Sequence, residues 1–198
     1  LPDKLERSLS VLRETASDLV SHDYQMINGE METVINCARH FHDQTDPVRS
    51  LYLRGFIATS TVVARRQPIM AVEGFDETLP SGQDFDLWLT LMAEHGVTFH
   101  VFSESLTRYY VMSGSITSQV EKRRQCNLEI LRRYAGSVRG GKLTALLRTL
   151  IVQAQSTQAY LAQGKSLDAL KTMVVTPFTL MSVLASSQVP STPRTPLI

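Results

Sequence analysis

The sequence contains little cysteine and almost no net charge. Its 198 residues include only two cysteines, Cys37 and Cys126, which excludes a disulfide-dense secreted scaffold. The two thiols could pair, but two lone cysteines in a chain of this length fit a reducing cytoplasm better. A formal net charge of +1 supplies no basic field, so nucleic acid is not an expected partner. Hydrophobic residues at 43% and charged residues at 20% are ordinary values for a soluble globular protein.

No long run of the sequence is purely hydrophobic. The longest stretch without a charged residue extends from Thr172 to Pro193, and it contains Pro177, Pro190 and several Ser, Thr and Gln residues. Such a stretch is a poor membrane-spanning segment. We expect a buried terminal helix followed by a frayed tail, although the stretch could also lie against a membrane or a partner. Because the first predicted helix is charged, we expect no signal peptide there.

Histidines are few and do not gather with other metal ligands. His40 and His42 lie close together, but no cysteine or carboxylate set joins them at metal-site spacing. We interpret this pair as part of a solvated loop or helix face, and we predict no metal ligand in this chain.

Hydrophobic periodicity and turn residues predict an α/β arrangement over the first part of the chain. A helix over residues 2–14 would bury Leu5, Leu9 and Leu12 as one apolar stripe. The remaining predicted elements are strands over 18–27 and Met31–Ile35 joined by a hairpin at Asn28-Gly29, a helix from Asp46-Pro47 to Arg54, a central strand over Phe56–Ala64, a helical turn over Pro68–Glu73, and strands over Val97–Phe102 and Ser105–Val111.

From residue 118 the pattern becomes helical. A basic helix ends at Gly136, a long helix covers Lys142–Gln163, and a further helix runs from Ser166 to about Val175. We therefore predict three regions: residues 1–117, a helical region over 118–186, and a disordered tail over 187–198.

The most informative segment runs from Gly74 to Leu89. Ser81 suits the N-cap of an amphipathic helix, and Asp84 follows three residues later in a variant of the capping box. A carboxylate at a helix N-terminus beside flexible glycines suits a catalytic base that faces a sugar hydroxyl. The alternative is structural, because aspartate in a first helical turn also offsets the helix dipole.

This segment, Gly74-Phe75-Asp76-Glu77 and then Ser81-Gly82-Gln83-Asp84-Phe85-Asp86-Leu87-Trp88-Leu89, resembles the GGFDE…(S/G)EDxDLWLRL segment of family 2 glycosyltransferases. The helix beginning at Leu1, the strand near Asp18–Ile27, the segment Ala58–Arg66 and the ending Leu106–Ser118 also resemble that family, in the right order. The resemblance covers roughly residues 1–134. It implies a GT-A-like α/β fold, of which residues 1–117 would form the acceptor-side half.

The resemblance also implies roles for individual residues. Asp84 matches the family's general base, which deprotonates the acceptor. Asp76, Glu77, Gln83, Asp86 and Trp88 are the candidate substrate-binding residues. Structural roles remain open for most of them: loop solvation for Asp76 and Glu77, a hydrogen bond to the neighbouring loop for Asp86, and a core position for Trp88.

The sequence departs from the family pattern in two ways. Gln83 stands where the family usually has Glu, while Tyr110 and Met112 replace an expected Arg and His. Tyr and Met lack the guanidinium fork that binds phosphate. The family's nucleotide-binding strands and metal-holding DxD motif would lie before Leu1, so we expect the divalent cation, Mg²⁺ or Mn²⁺, to be bound mostly outside this chain.

These observations favour an inverting glycosyltransferase that uses a nucleotide-sugar donor and a glycan or lipid-linked acceptor in bacterial surface polysaccharide synthesis. We expect the complete protein to be a cytoplasmic enzyme, with peripheral membrane association as an option, and these 198 residues alone to be inactive. A bare sheet edge could lead to a homodimer. The alternative is a catalytically degenerate transferase-like domain that binds glycan or protein.

Overall fold

The computed structural model describes residues 1–42, 46–111 and 119–185. The predictions for Met112, for the Ser115–Ser118 part of the family ending and for the tail over 187–198 lie outside the described residues.

The described chain is a mixed α/β structure that combines a four-stranded sheet with helices. The strands are β1 (Leu19–Asn28), β2 (Met31–Ile35), β3 (Val63–Ala64) and β4 (Phe99–Tyr110). The helices are α1 (Lys4–Glu14), α2 (Cys37–His42), α3 (Pro47–Arg54), α4 (Arg66–Ala71), α5 (Gln83–Leu89), α6 (Val120–Tyr134), α7 (Gly141–Ala162) and α8 (Ser166–Ala185). A 3₁₀ turn covers Thr59–Thr61, and a π-helical segment, Thr90–Glu94, continues α5.

Strand β1 is the centre of the sheet. On one side it pairs in parallel with β4 from Leu19↔Phe99 to Ile27↔Tyr110, with a register shift between His22 and Tyr24. On its other side β3 pairs antiparallel with the start of β1, and β2 pairs antiparallel with its end. Within the described residues, the outer edge of β4 is paired with no further strand.

Several predicted elements are confirmed. The Asn28-Gly29 hairpin joins β1 to β2. Asp46 caps α3 by accepting a hydrogen bond from the Arg49 backbone N–H at 2.9 Å, with Pro47 at the first helical position. The predicted basic helix that ends at Gly136 corresponds to α6, and the predicted helix over 142–163 corresponds to α7. The region after residue 118 is therefore helical as far as Ala185.

Five other predictions are wrong in detail. Helix α1 forms, but Leu5 and Leu9 are exposed, since its buried face consists of Ser8, Val11 and Leu12. The expected central strand over 56–64 is extended chain and a 3₁₀ turn that ends in the two-residue strand β3 beside β1.

The other three corrections concern the last strand and the last helix. The two strands predicted over 97–111 are one continuous strand, β4. The last helix runs ten residues further than expected and includes Pro177. It is not a buried helix, because only Ala169, Thr172 and Val183 are buried in it.

The main hydrophobic core joins the sheet and the later helices. Its largest fully buried side chains include Trp88 from α5, Tyr52 from α3 and Tyr134 from α6. Leu131 of α6 and Ala145 of α7 belong to the same cluster as Leu19 of β1. The free thiol of Cys37 is also buried there, and burial raises its pKa to about 12. This core fixes the position of α5, whose first turn carries the candidate site.

Candidate functional site

The first turn of α5 carries the predicted catalytic carboxylate. The helix begins at Gln83, and its N-cap is Gly82 in the left-handed conformation with φ +77°. Ser81 is therefore not the cap, which corrects the predicted capping box, and Gly82 provides no side-chain capping bond. Buried Phe85, Leu87, Trp88 and Leu89 anchor the helix in the core. Asp84 is left half-buried at the start of the helix.

Asp84 lines an open cleft of about 430 Å³. The cleft is formed by the 3₁₀ turn, the loop between α4 and α5, and the first turn of α5. Its lining residues are Thr59, Phe75, Glu77, Gln83 and Asp84. Three predicted site residues, Glu77, Gln83 and Asp84, therefore come together around one cleft.

The Asp84 carboxylate is held in place by two hydrogen bonds. Its Oδ2 accepts from Thr59 Oγ1 at 2.8 Å, and its Oδ1 accepts from the Phe85 backbone N–H at 2.8 Å. An ionised carboxylate offers about four acceptor positions, so two lone pairs remain for a ligand. The arrangement gives an oriented carboxylate on the wall of a cleft, at the positive end of a helix dipole.

The other cleft residues offer polar and apolar contacts. The side-chain amide of Gln83 donates to the Leu79 carbonyl at 2.6 Å, which fixes its orientation. Glu77 is exposed, and Phe75 exposes 44% of its surface beside the cleft. An exposed aromatic ring of this kind can stack on a sugar ring, while the neighbouring carboxylates accept hydrogen bonds from the sugar hydroxyls.

Asp76 and Asp86 do not line the cleft; instead, they share one guanidinium. Arg133 Nη1 of α6 donates to Asp76 Oδ2 at 2.8 Å and to Asp86 Oδ1 at 2.9 Å. Asp86 is fully buried and also accepts from the Tyr134 hydroxyl at 3.0 Å. The three charged side chains thus join α6 to α5 and to the loop before it.

The environment of Asp76 and Arg133 favours their charged forms. Burial alone would raise the pKa of Asp76, but hydrogen bonds from Thr78 and Arg133 outweigh it and hold that pKa below its usual range. Burial likewise tends to lower the pKa of Arg133, and the hydrogen bond to Asp76 and the charge of Asp86 raise it overall. This ionic cluster is a support for the α5 region.

Trp88 also lies away from the cleft. Its side chain is 2% exposed and packs edge-on against Phe99 of β4, with ring centroids 6.2 Å apart. Its indole Nε1 has no hydrogen-bond partner among the described residues. Its surroundings are those of a core residue.

Sequence reasoning missed three residues that shape this region. Thr59 orients Asp84 from 25 positions away, and Arg133 reaches Asp86 from 47 positions away, so neither has a local signal. Phe75 belongs to the quoted motif, and its neighbouring acidic residues could have indicated a binding surface. Tyr110, which departs from the family pattern, is 58% exposed at the end of β4.

A larger cavity of about 880 Å³ lies among α6, α7 and α8. Glu121 lines it, but that carboxylate is engaged by Arg124 at 2.7 Å and by the Tyr160 hydroxyl at 2.8 Å. None of the predicted site residues lines this cavity. We assign the candidate site to the smaller cleft because Asp84, which lines it, is an oriented carboxylate that retains acceptor capacity.

Among the residues that the structure describes, no three His, Cys, Asp or Glu side chains come together as a group that could hold a metal ion. Comparison with protein-family models, curated proteins and solved structures found no match to this chain.

Proposed function

We propose that this chain supplies the acceptor side of an inverting glycosyltransferase with a GT-A-like fold. The observation that carries the proposal is Asp84, an oriented carboxylate with free acceptor positions on the wall of a cleft. In this role Asp84 removes the proton from the acceptor hydroxyl as that oxygen attacks the anomeric carbon of a nucleotide-activated sugar.

The chemistry requires a base within hydrogen-bond reach of the acceptor and opposite the leaving nucleotide. Thr59 keeps the Asp84 carboxylate in one orientation, which avoids reorganisation when the proton moves. Glu77 and Gln83 would bind neighbouring hydroxyls, and the exposed face of Phe75 would support the sugar ring. The departing diphosphate requires a cation, and we propose Mg²⁺ or Mn²⁺ for the complete enzyme.

The ionic cluster supports this proposal indirectly. Asp76, Asp86 and Arg133 fix the loop and helix that carry Glu77 and Asp84. Rigid elements position catalytic groups better than mobile loops do. We therefore propose a positioning role for Asp76 and Asp86, in place of the direct substrate contact predicted from the sequence.

A second candidate function is glycan binding without catalysis. Gln83 stands where the family usually has Glu, and its amide is engaged by the Leu79 carbonyl. A cleft that has lost an acidic residue in this way can still bind sugar hydroxyls. In that case sugar binding would survive Asp84→Asn, and the wild-type protein would transfer nothing.

The decisive experiment is Asp84→Asn in the intact protein. Activity is measured as nucleoside diphosphate released from a panel of UDP-, GDP- and dTDP-sugars with Mg²⁺ or Mn²⁺ and simple hexose acceptors. Loss of a general base lowers turnover by about 10²–10⁴-fold. The free energy of unfolding should change little, because Asp84 is half-buried and the Asn side chain has nearly the same shape as that of Asp.

Glu94→Gln is the matched control, since it removes one carboxylate charge from the exposed end of the π-helical segment that continues α5. We expect it to retain nearly full turnover. Near-normal transfer by Asp84→Asn, or an equal loss in both variants, would rule out Asp84 as the base.

A further inference from the structure

The outer face of α8 is unusually apolar. Six large side chains at helical spacing form a band that we call the outer stripe: Leu167, Leu170, Val174, Phe178, Met181 and Leu184. Their exposed fractions range from 45% for Leu184 to 75% for Leu167. A contiguous exposed band of this kind is rare on monomeric soluble proteins and indicates an interaction surface.

The inner face of α8 is mainly small and hydroxylated: Ala169 and Thr172 are buried there, and Val183 alone joins the main core among its described residues. Thr172 and Thr176 donate to backbone carbonyls four residues earlier, at 2.8 Å in each case. Gln153 of α7 donates across the helix pair to Thr179 Oγ1 at 3.3 Å. A surface helix of a water-soluble protein normally points its apolar side inward. Helix pairs in contact with lipid pack through small and hydroxylated residues, as this pair does.

Helix α7 repeats this inverted pattern. Its buried positions include Thr144, Thr149, Gln153 and Ser156, whereas Leu143, Leu147, Leu150 and Leu161 are 44–75% exposed. The inversion is therefore a property of the α7–α8 pair and not of a single helix.

Charge is strongly divided along the chain. Residues 119–185 contain ten Lys and Arg against three Asp and Glu, a formal charge of +7. Residues 1–118 contain nine Lys and Arg against sixteen Asp and Glu, a formal charge of −7. Basic side chains accompany the outer stripe: Lys142 Nζ donates to the Leu184 carbonyl at its end at 2.6 Å, and Lys171, 76% exposed, lies between Leu170 and Val174 and is paired with Asp168 at 3.4 Å.

We propose that the outer stripe docks on a membrane containing anionic lipids, with α8 lying in the plane of the interface. An apolar face flanked by basic residues is the pattern of an interfacial helix. The positive charge of residues 119–185 is complementary to anionic headgroups. This proposal concerns where the protein acts, so it is independent of the catalytic role proposed for Asp84.

Two other arrangements fit the surface less well. Helix α8 has 20 residues and contains an 18-residue window with a mean hydropathy of 1.4, so its length and composition would allow it to cross a bilayer. However, the inner face of α8 is bonded to α7, so only its outer face is available to lipid. A helix with one lipid-facing side fits better in the plane of the interface than across the bilayer. A second copy of the chain would bring one +7 region against another, and like charges oppose such a dimer.

The test is co-sedimentation of the full chain with vesicles of pure phosphatidylglycerol or pure phosphatidylcholine. We expect binding to phosphatidylglycerol that weakens as salt rises, and much weaker binding to phosphatidylcholine. The double variant Phe178→Gln/Met181→Gln should reduce binding by about tenfold or more, since it removes two apolar anchors. Both positions are exposed, so circular dichroism should show that the helices are retained.

Met31→Gln/Met70→Gln is the matched control, because both methionines are exposed, on β2 and α4, outside the α7–α8 pair. It should bind vesicles as the wild type does. Three results would overturn the proposal: no binding to anionic vesicles, equal losses in both double variants, or a dimer in light scattering that Phe178→Gln/Met181→Gln dissociates. The last result would identify a second copy as the partner.

Discussion

At the scale of single residues, Arg133 compensates two carboxylates that are largely withdrawn from water. Side-chain exposure is 11% for Arg133, 10% for Asp76 and zero for Asp86. Removing one partner of a buried ion pair leaves a charge without compensation, which costs about 3–5 kcal/mol. We therefore expect Arg133→Met, a substitution of similar volume, to lower the free energy of unfolding by that amount in urea denaturation.

Arg123→Met is the control for this substitution. Arg123 lies on the same helix and is half-buried, and no carboxylate of the described residues is paired with it. We expect a change within about 0.5 kcal/mol. Similar effects of the two substitutions would show that the cluster around Arg133 contributes little to stability.

Glu121 provides a pH-dependent contribution to stability. Its hydrogen bond from Arg124, with further bonds from Tyr160 and Gln125, lowers its pKa to about 2 despite burial. A carboxylate whose pKa is lower in the folded state than in the unfolded state stabilises the fold above the unfolded value, about 4.3. That contribution is lost as pH falls from about 4 towards 2.

Urea denaturation between neutral and acid pH can isolate this contribution. Glu121→Gln should lower stability at neutral pH and reduce the loss on acidification, because the uncharged amide does not titrate. The effect should be modest, since 47% of the Glu121 side chain is exposed to solvent. Identical pH profiles for the variant and the wild type would contradict the expected linkage.

Asp84 and Asp86 show how far residue roles could be predicted. The sequence places both in the first turn of a helix, and Asp84 lines a cleft. Asp86 is bonded to Arg133 and Tyr134 of α6, two partners that its position in the sequence does not indicate. No local pattern links α5 to residues more than forty positions away.

At the scale of elements, the start of α5 depends on Gly82. Its φ of +77° is costly for any residue with a Cβ, and a Cβ there would lie 3.2 Å from Ile130 Cδ1. We expect Gly82→Ala to destabilise the protein by about 1–2 kcal/mol. Thermal or urea denaturation would measure this change, and turnover should fall as well because the helix start carries Asp84.

Ser81→Ala separates this explanation from the predicted capping box. If Ser81 capped the helix, its removal would cost about 1 kcal/mol. Since the N-cap is Gly82 and has no side-chain bond, we expect Ser81→Ala to cost less than Gly82→Ala. The reverse order would favour the capping box.

Elements with strong local signals were predicted well, and those set by tertiary context were not. The Asn28-Gly29 hairpin and the Asp46-Pro47 helix start follow from turn and capping chemistry within a few residues. The β-branched run over 56–64 predicts a central strand, yet only Val63 and Ala64 pair with β1, at Val20 and Leu19, and β2 pairs with the other end of β1 from Tyr24 to Asn28. The last helix is expected to reach about Val175, but α8 continues through Pro177 to Ala185.

At the scale of the whole molecule, one hydrophobic core crosses the boundary predicted near residue 117. Leu131 and Val152 from the later helices share a cluster with Leu19 and Trp88 from the α/β part. We therefore expect a single cooperative unfolding transition. Trp88 is the only tryptophan and reports on the α/β part, whereas far-ultraviolet circular dichroism is dominated by the helices.

Coincident fluorescence and circular dichroism curves in urea would support this expectation. Two separated transitions would show that the helical region folds as a unit of its own. Leu1→Gln, an exposed substitution outside the core, serves as a control that should leave both curves unchanged.

The division of charge between the two parts of the chain makes the molecule an electric dipole in solution. The field of an anionic surface turns such a dipole before contact, so that the part with α6, α7 and α8 faces the surface. This field extends to about the Debye length, 8 Å at physiological salt. Salt would then slow the encounter, while the lifetime of the docked state would depend mainly on the apolar side chains. The residues around Asp84 belong to the anionic part, so the field that attracts α7 and α8 repels the cleft and leaves it open to substrates arriving from water.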